Sequence, residues 1–159
     1  MQAVKVKITA LTEDPSNARK HDQRNIKAIK RSLESFGQQK PIVVDEDMTV
    51  IAGNGTLEAA CELGWEEIFV VVTKLGEHEK TAYAIADNRT AELADWDKQT
   101  LAKLYDDIPA DLAESTGFSV EELTALVESV NPVAPEDFPE VDEDITTDKV
   151  CPKCGFRWS

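Results

Sequence analysis

Residues 50–60 join an apolar run, a Gly-x-Gly turn and a helix-forming run: Val50-Ile51-Ala52-Gly53-Asn54-Gly55-Thr56-Leu57-Glu58-Ala59-Ala60. The apolar run is typical of a strand, and the residues after Thr56 predict a short helix that ends at Gly64. A strand that ends in Gly-x-Gly before a helix leaves backbone amides unpaired beside the positive end of the helix dipole. The segment therefore predicts either an anion-binding turn or a tight turn that needs glycine only for its backbone conformation.

The flanking sequence predicts a mixed sheet with helices around this turn. The predicted elements are a strand over 4–10, a helix over 22–36, a hairpin of 41–44 with 48–52, a buried strand over 68–72 and a helix over 77–88. Asp22 can cap the first helix and Gly37 can end it. In the helix after residue 77 we expect Ala82, Ile85 and Ala86 to face inward.

The chain changes character after residue 95. Apolar spacing predicts one helix after Asp97, and Ser119 with Glu122 forms a capping box for another that runs to Val130. Residues 131–150 hold three prolines and seven acidic residues, which predicts a flexible linker. The predicted units are a core over 1–95, a helical extension over 96–130, an acidic linker over 131–150 and a tail over 151–159.

Charge is distributed unevenly along the 159 residues. The net charge is −14, but residues 1–40 carry nine basic and four acidic side chains, so a polyanion is expected to meet this basic region. Arg24, Lys27 and Arg31 share a helix face that can follow a DNA backbone, although an ordinary solvated face explains them equally. The absence of long apolar segments and the odd cysteine count predict a cytoplasmic protein without a membrane span or disulfide framework.

Several segments in the same order resemble the N-terminal domain of the ParB/sulfiredoxin superfamily. They are Asn17-Ala18-Arg19-Lys20-His21, Ser32-Leu33-Glu34-Ser35-Phe36-Gly37, Gln39-Lys40-Pro41-Ile42-Val43-Val44, the residues 50–60 quoted above, and Ala86-Asp87-Asn88-Arg89. The resemblance covers about residues 5–95. It extends through Trp96-Asp97 and residues 116–119 in the ParB-like domains of phage and prophage proteins, which occur fused to DNA methyltransferases or apart from them. It implies an α+β fold with a mixed sheet.

The resemblance also implies roles for individual residues. In partition proteins of this family, the turn that matches Gly53, Asn54, Gly55 and Thr56 holds nucleotide phosphates, together with an arginine near Arg19. The element that matches Asp87, Asn88 and Arg89 helps to hold a metal ion and phosphates. The implied ligands are CTP or ATP with Mg²⁺ at Asp87, a choice consistent with the preference of Mg²⁺ for carboxylate and phosphate oxygens. His21, in the preceding loop, is expected to order the loop or contact an anion.

The turn departs from the family pattern at two positions. The family commonly has arginine at the position of Thr56 and a charged residue or histidine at that of Asn54, whereas both side chains here are neutral. Three functions are consistent with these residues: a phosphate-binding protein in phage or mobile-element DNA metabolism or modification, a metal-dependent nuclease or nucleotide hydrolase, and a catalytically silent adaptor. A sulfiredoxin activity is excluded, since its reactive cysteine falls where this chain has Asn54 or Gly55. Cys61 is expected to be a small core residue.

The tail contains a second motif, Cys151-Pro152-Lys153-Cys154-Gly155. Two thiolates three residues apart can supply half of a tetrahedral zinc site, while Gly155 relaxes the turn. Two chains could complete a Cys₄ site in a homodimer, another protein could supply the remaining ligands, or the tail could be reduced and metal-free. Phe156 and Trp158 beside the motif predict that the tail docks on a protein partner.

Overall fold

A computed structural model describes residues 2–130 and 149–158. Its strands are β1 (Val4–Lys7), β2 (Thr12–Glu13), β3 (Ile42–Val44), β4 (Thr49–Ala52), β5 (Glu67–Val72), β6 (Lys149–Val150) and β7 (Arg157–Trp158). Its α-helices are α1 (Gln23–Phe36), α2 (Asn54–Glu62), α3 (Glu77–Glu92), α4 (Lys98–Asp106), α5 (Ala110–Ala113) and α6 (Val120–Val130). The predicted α+β class is confirmed.

A mixed five-stranded sheet forms the centre of the fold, with the strand order β1-β5-β3-β4-β2. β1 with β5 and β3 with β4 are antiparallel, whereas β3 with β5 and β2 with β4 are parallel. The predicted hairpin of β3 and β4 is therefore present. β4 runs directly into α2, so the sheet delivers the glycine turn to the start of that helix.

The apolar core lies between this sheet and the helices α1 and α2. Its fully buried side chains include Ile26 of α1, Val44 and Val50 of the hairpin, and Ile68 and Val70 of β5. The expectation that β5 is buried throughout is wrong, because its side chains alternate and Phe69 remains 43% exposed. β5 thus presents one face to the core and the other to solvent, as the twofold periodicity of a strand requires.

The predicted first strand is too long. β1 ends at Lys7, and residues Ile8–Ala10 form a 3₁₀ turn closed by a hydrogen bond from the Leu11 N–H to the Ile8 carbonyl (3.0 Å). The turn carries the chain across to the opposite edge of the sheet, where β2 pairs with β4. The sequence pattern did not distinguish these two short strands, because a 3₁₀ turn between them leaves the apolar alternation unbroken.

Local capping sets the ends of α1 as predicted. The Asp22 carboxylate accepts a hydrogen bond from the Asn25 N–H (2.7 Å), and Gly37 follows the last turn with a φ of 66°. α2, in contrast, begins earlier than expected: Gly53 is its N-cap, and the next three residues form its first turn. The glycine segment is therefore the beginning of a helix rather than a separate loop.

α3 is rotated relative to the prediction. Ala82, Ile85 and Ala86 are exposed, and Ile85 is 60% accessible. Lys80 faces inward instead, since its ammonium group lies 2.9 Å from a carboxylate oxygen of the buried Asp45. Residues three, four, seven and eight positions after Lys80 share its helix face. They are Tyr83, Ala84, Asp87 and Asn88, all of them half-buried.

The helical extension packs on α1. Arg24 of α1 forms an ion pair with Glu122 of α6 (2.5 Å), and the hydroxyl groups of Ser35 and Ser115 are 2.6 Å apart. Ser119 and Glu122 form the predicted capping box, with hydrogen bonds of 2.8 and 3.2 Å. The predicted linker falls outside the described residues except for its last two, which form β6. No helix in residues 2–130 is long and apolar enough to cross a membrane.

Candidate functional site

The N-terminus of α2 carries backbone amides that the helix itself does not use. Gly53 adopts a left-handed conformation (φ 99°, ψ 24°), and no side chain caps the helix. The first N–H to donate within the helix is that of Leu57, to the Gly53 carbonyl (3.0 Å). The amides of the preceding first turn are left for an external acceptor, and the helix dipole favours an anion there.

This helix end opens into a cavity of about 130 Å³, here called the hollow. The structure brings nearly all of the predicted site residues around it. Its lining includes Arg19, His21, Gly53, Asn54, Gly55, Thr56, Asp87 and Asn88. Arg89 lies just outside, in a neighbouring cavity that Arg19 and Asn88 also line. The residues that the sequence singled out in three separate segments thus converge on one place, although their binding roles stay predictions.

His21 lies against the first turn of α2. A Cβ atom built on Gly55 would stand 2.7 Å from His21 Cε1, so glycine is what allows the ring to approach the helix. On its other side, His21 Nδ1 is 2.7 Å from the Asn25 side-chain oxygen. That contact engages Nδ1 and orients the ring beside the first turn of α2, where His21 lines the hollow.

Arg19 and Arg89 share one carboxylate. Glu92, in the last turn of α3, forms ion pairs with both guanidinium groups, and its Oε2 lies 3.2 Å from Arg89 Nη1. Hydrogen bonds from Arg89 and then Arg19 lower the pKa of Glu92. Glu92 is therefore ionised at neutral pH and engages both guanidinium groups, a kind of group that binds carboxylate and phosphate in the same manner.

Two oxygen-bearing side chains in the hollow suit a hard cation. Asn54 Oδ1 is buried and has no hydrogen-bond partner among the described residues. The Asp87 carboxylate, 28% exposed, has Lys40 as a distant partner at 3.8 Å. Mg²⁺ binds through one or two such oxygens together with substrate phosphates, so this pair fits the metal. The Asn88 side chain, in contrast, has a hydrogen-bond partner, because its amide nitrogen donates to the Ala84 carbonyl (2.9 Å).

A larger cavity of about 380 Å³ adjoins the hollow. Asn17, Arg19, Ile51 and Asn88 line both, so the two cavities lie side by side. Ala84 and Ile85 of α3 give the larger cavity an apolar wall. Its volume lies in the range of small-molecule sites, which are about 300–1,000 Å³. The apolar spacing predicted that Ile85 faces the core. It faces this cavity instead.

The predicted DNA-binding face is only partly free. Arg24 donates a hydrogen bond to the Glu122 carboxylate, and this bond raises the pKa of the guanidinium group. Lys27 and Arg31 are exposed on α1. Arg24 therefore has a structural role in holding α6 against α1, and DNA-backbone binding by this face stays a prediction.

The tail forms a two-stranded hairpin that the sequence did not predict. β6 and β7 pair antiparallel and enclose Cys151 and Cys154. Hydrogen bonds from the backbone amides of Lys153 and Cys154 lower the pKa of the Cys151 thiol. Cys61 is exposed rather than in the core as expected, because it lies on the outer side of α2. Among residues 2–130 and 149–158, no three potential metal-ligating side chains lie together.

Family comparison agrees with this geometry. The ParB N-terminal domain family matches residues 1–89, more than half of the 159 residues. The chain belongs to this family. The matched part of the ParB N-terminal domain runs from β1 to Arg89, so it contains every residue around the hollow and ends within α3.

Curated relatives of this ParB N-terminal domain include nucleoid occlusion proteins. The protein of Bacillus cereus strain AH187 is 31% identical over 75 residues, which are 45% of this chain and 26% of that protein. The protein of Bacillus thuringiensis strain Al Hakam is 29% identical over the same length. The chain thus matches about a quarter of the length of these relatives.

One solved structure shows the same fold over most of this chain. The chromosome-partitioning protein ParB of Caulobacter crescentus, C-terminally truncated and complexed with CTP-gamma-S, gives a TM-score of 0.70 at 17% identity and covers 82% of this chain and 79% of its own. Sulfiredoxin of Arabidopsis thaliana gives a TM-score of 0.44 at 23% identity, covering 54% of this chain and 98% of its own. The chain is therefore a ParB-like domain related to nucleoid occlusion and chromosome-partitioning proteins.

Proposed function

We propose that this chain binds a nucleotide, with its phosphates in the hollow and its base and sugar in the adjoining cavity. The observation that carries the proposal is the uncapped N-terminus of α2, which opens into the same hollow as Arg19. Backbone amides at a helix N-terminus and a guanidinium group both recognise phosphate. Arg19 lines both cavities and supplies positive charge beside the neutral Asn54 and Thr56, and Arg89 adds to it from the adjoining cavity.

The shape of the site favours a free nucleotide over a DNA backbone. The phosphate-sized hollow lies beside a cavity that has the apolar wall of Ile85 and Ala84, where a base can lie. CTP is the first nucleotide to test, because the ParB structure similar in fold was solved with CTP-gamma-S, and ATP is the alternative. Mg²⁺ would be held by Asp87 and Asn54 Oδ1 together with the phosphates, and it would neutralise phosphate charge there.

The cellular role is the second part of the proposal. A nucleotide-binding ParB-like domain with a separate tail is suited to DNA metabolism or modification encoded by a phage or mobile element, in the bacterial cytoplasm. The Cys151–Cys154 hairpin would contribute two thiolates to Zn²⁺ and dock on a protein partner. Lys27 and Arg31 would add a DNA-backbone contact through the basic region.

The binding test compares the intact chain with two variants of the hollow. We expect CTP with Mg²⁺ to raise the melting temperature, and Arg19→Ala and Gly55→Ala to weaken binding about tenfold or more, since a charged hydrogen bond contributes about 1.5–3 kcal/mol. Gly55→Ala acts by pushing the His21 ring away from the amides. Isothermal titration calorimetry gives the affinities.

Gly76→Ala is the matched control. A Cβ on Gly76 would meet its nearest atom, Glu79 Oε2, at an ordinary 3.5 Å, so this variant should bind like the unmodified chain. No stabilisation by millimolar CTP, ATP or pyrophosphate would contradict the proposal and favour the silent adaptor. Mg²⁺-dependent plasmid nicking that is abolished by Asp87→Ala would instead establish the nuclease.

Substitution of Glu92 is expected to strengthen nucleotide binding, whereas the variants of Arg19 and Gly55 weaken it. Glu92→Gln removes the carboxylate that competes with phosphate for Arg19 and Arg89, so nucleotide should bind roughly two- to fivefold more tightly, in keeping with the energy of exposed ion pairs. Titration calorimetry at low salt measures the gain. Glu66→Gln makes the same change in net charge at an exposed residue beyond the far end of α2, and it should leave the affinity unchanged. Weaker binding by Glu92→Gln would show that Glu92 positions the arginines instead.

A further inference from the structure

The tail hairpin places its two cysteines on one tight turn. The Cys151 N–H donates to the Phe156 carbonyl (2.7 Å), and the Gly155 N–H donates to the Cys151 carbonyl (2.9 Å). Gly155 has a φ of 74°, a left-handed conformation that glycine adopts without strain. The turn between β6 and β7 is therefore closed by two backbone bonds, and Cys151 and Cys154 lie at its two ends.

Cys151 and Cys154 belong to the same tight turn, three residues apart. The Cys151 sulfur accepts hydrogen bonds from the backbone amides of Lys153 and Cys154, and the Cys154 thiol also interacts with it. Two cysteines three residues apart on one closed turn can bind the same metal ion through their sulfur atoms. Structural zinc sites are tetrahedral and take four ligands, so this turn provides half of one.

We propose that two copies of this chain place their Cys151–Cys154 hairpins around one Zn²⁺ ion, forming a Cys₄ site that holds the copies together as a dimer. This inference deepens the zinc part of the proposed function and rests on it. It commits to the source of the remaining two ligands, which is a second, identical hairpin. The resulting interface is twofold symmetric, the commonest arrangement among homo-oligomers.

The basic side chains of the hairpin suit a metal site built from thiolates. Four thiolates around one Zn²⁺ ion leave a net negative charge at the site, which nearby cations compensate. Within residues 149–158 the charged side chains are Lys149, Lys153 and Arg157, all of them basic. Two hairpins therefore surround the metal with positive charge, in a chain whose net charge is −14.

Apolar surface supports the same partner. The rings of Phe156 and Trp158 are stacked, with centroids 6.4 Å apart, yet 68% and 41% of these residues remain exposed. A two-stranded hairpin is at best marginally stable alone in water. A metal ion shared with a second hairpin stabilises both, and the two aromatic pairs can cover each other.

Zinc content and molecular mass of the intact chain, purified in reducing buffer, test the proposal together. We expect about one zinc ion for every two chains and the mass of a dimer, with both lost after a strong chelator. Cys151→Ser and Cys154→Ser should each yield a zinc-free monomer. Cys61→Ser is the matched control, since Cys61 is exposed on α2, and it should keep both the metal and the dimer.

Each other outcome overturns the inference in a distinguishable way. One zinc ion per monomeric chain would keep the zinc proposal and exclude the shared site, and no zinc would refute both. A dimer that reductant dissolves and chelator does not would indicate an intermolecular disulfide. Nucleotide binding is measured in the same samples: if Cys151→Ser binds CTP normally, failure of the zinc site leaves the phosphate site standing.

Discussion

Gly53→Ala is expected to lower the free energy of unfolding by about 3 kcal/mol, the sum of a conformational and a steric effect. A left-handed conformation costs a residue with a Cβ about 1–2 kcal/mol. The new methyl group would also lie 2.5 Å from Cγ2 of Ile42, a side chain that is 2% exposed and packed in the core. Forcing an extra methyl group into such a core typically costs about 1–3 kcal/mol.

Urea denaturation of Gly53→Ala and Gly64→Ala separates these two effects. Gly64 also has a positive φ, 73°, but nothing lies within 4 Å of the position of its Cβ. Gly64→Ala should therefore lower the free energy of unfolding by the conformational part alone, about 1 kcal/mol. The slope of this free energy against urea concentration should stay the same. Equal losses in the two variants would mean that Ile42 moves aside and that β3 does not constrain the glycine.

The glycine turn was the most informative segment of the sequence because its structural features are local. A strand, a positive φ and a helix start are local features, so residue order alone reports them. The same holds for the Asp22 cap of α1 and the capping box of Ser119 and Glu122, which involve residues three positions apart. These features predicted both the fold class and the central part of the site.

The orientation of α3 could not be predicted in this way. Apolar spacing selected the face of Ala82 and Ile85, but the inward face is set by Lys80, whose partner Asp45 is 35 residues away. Periodicity ranks residues by hydrophobicity and so assigns a lysine to solvent. The family motif assigned Asp87 and Asn88 to the binding site but did not predict which face of this helix packs on the sheet.

Glu92 and Lys40 were missed for a related reason. Glu92 pairs with Arg19 across 73 residues, and Lys40 approaches Asp87 from the start of β3. Exposed carboxylates and lysines are abundant in this sequence, and nothing local distinguishes the two that reach the site. Their roles follow from the packing of α3 on the sheet, which depends on long-range contacts.

The second large effect is expected at Asp45, which is 6% exposed and joins the hairpin to α3. Its Oδ1 accepts the N–H groups of Asp47 (3.0 Å) and Thr49 (2.8 Å), and its Oδ2 receives Lys80 at 2.9 Å. Asp45→Ala removes all three bonds and leaves the ammonium group with Glu77 alone. Since breaking a buried ion pair costs about 3–5 kcal/mol, we expect the free energy of unfolding to fall by about 3 kcal/mol.

Glu46→Ala provides the control in the same turn. Glu46 lies 3.9 Å from Lys74, and both side chains are largely exposed, so its removal should change the unfolding free energy by less than about 0.5 kcal/mol. Urea denaturation of both variants at neutral pH makes the comparison. If Asp45→Ala lowers the free energy of unfolding no more than Glu46→Ala does, other contacts hold α3 in place.

The dependence on pH gives an independent measurement at Asp45. Burial alone would raise the pKa of this carboxyl group, but the hydrogen bonds from Lys80 and the Thr49 N–H outweigh it and hold the pKa below the ordinary 3.8. A lowered pKa stabilises the fold above the unfolded value of about 3.9, and this stabilisation is lost as the pH falls through the folded pKa. The stability difference between the unmodified chain and Asp45→Asn should therefore be constant near neutral pH and shrink below about pH 4.

The same substitution should also weaken nucleotide binding at a distance. Lys80 and Asp45 do not line the hollow, but their ion pair sets the rotation that brings Asp87 and Asn88 to it. Asp45→Asn keeps an oxygen for the hairpin amides and removes the charge that Lys80 requires, so α3 loses its anchor while the turn remains. We expect CTP affinity to fall in this variant at temperatures well below its unfolding transition. Unchanged affinity would mean that the packing of α3 on β4, without the ion pair, is enough to position Asp87 and Asn88 at the hollow.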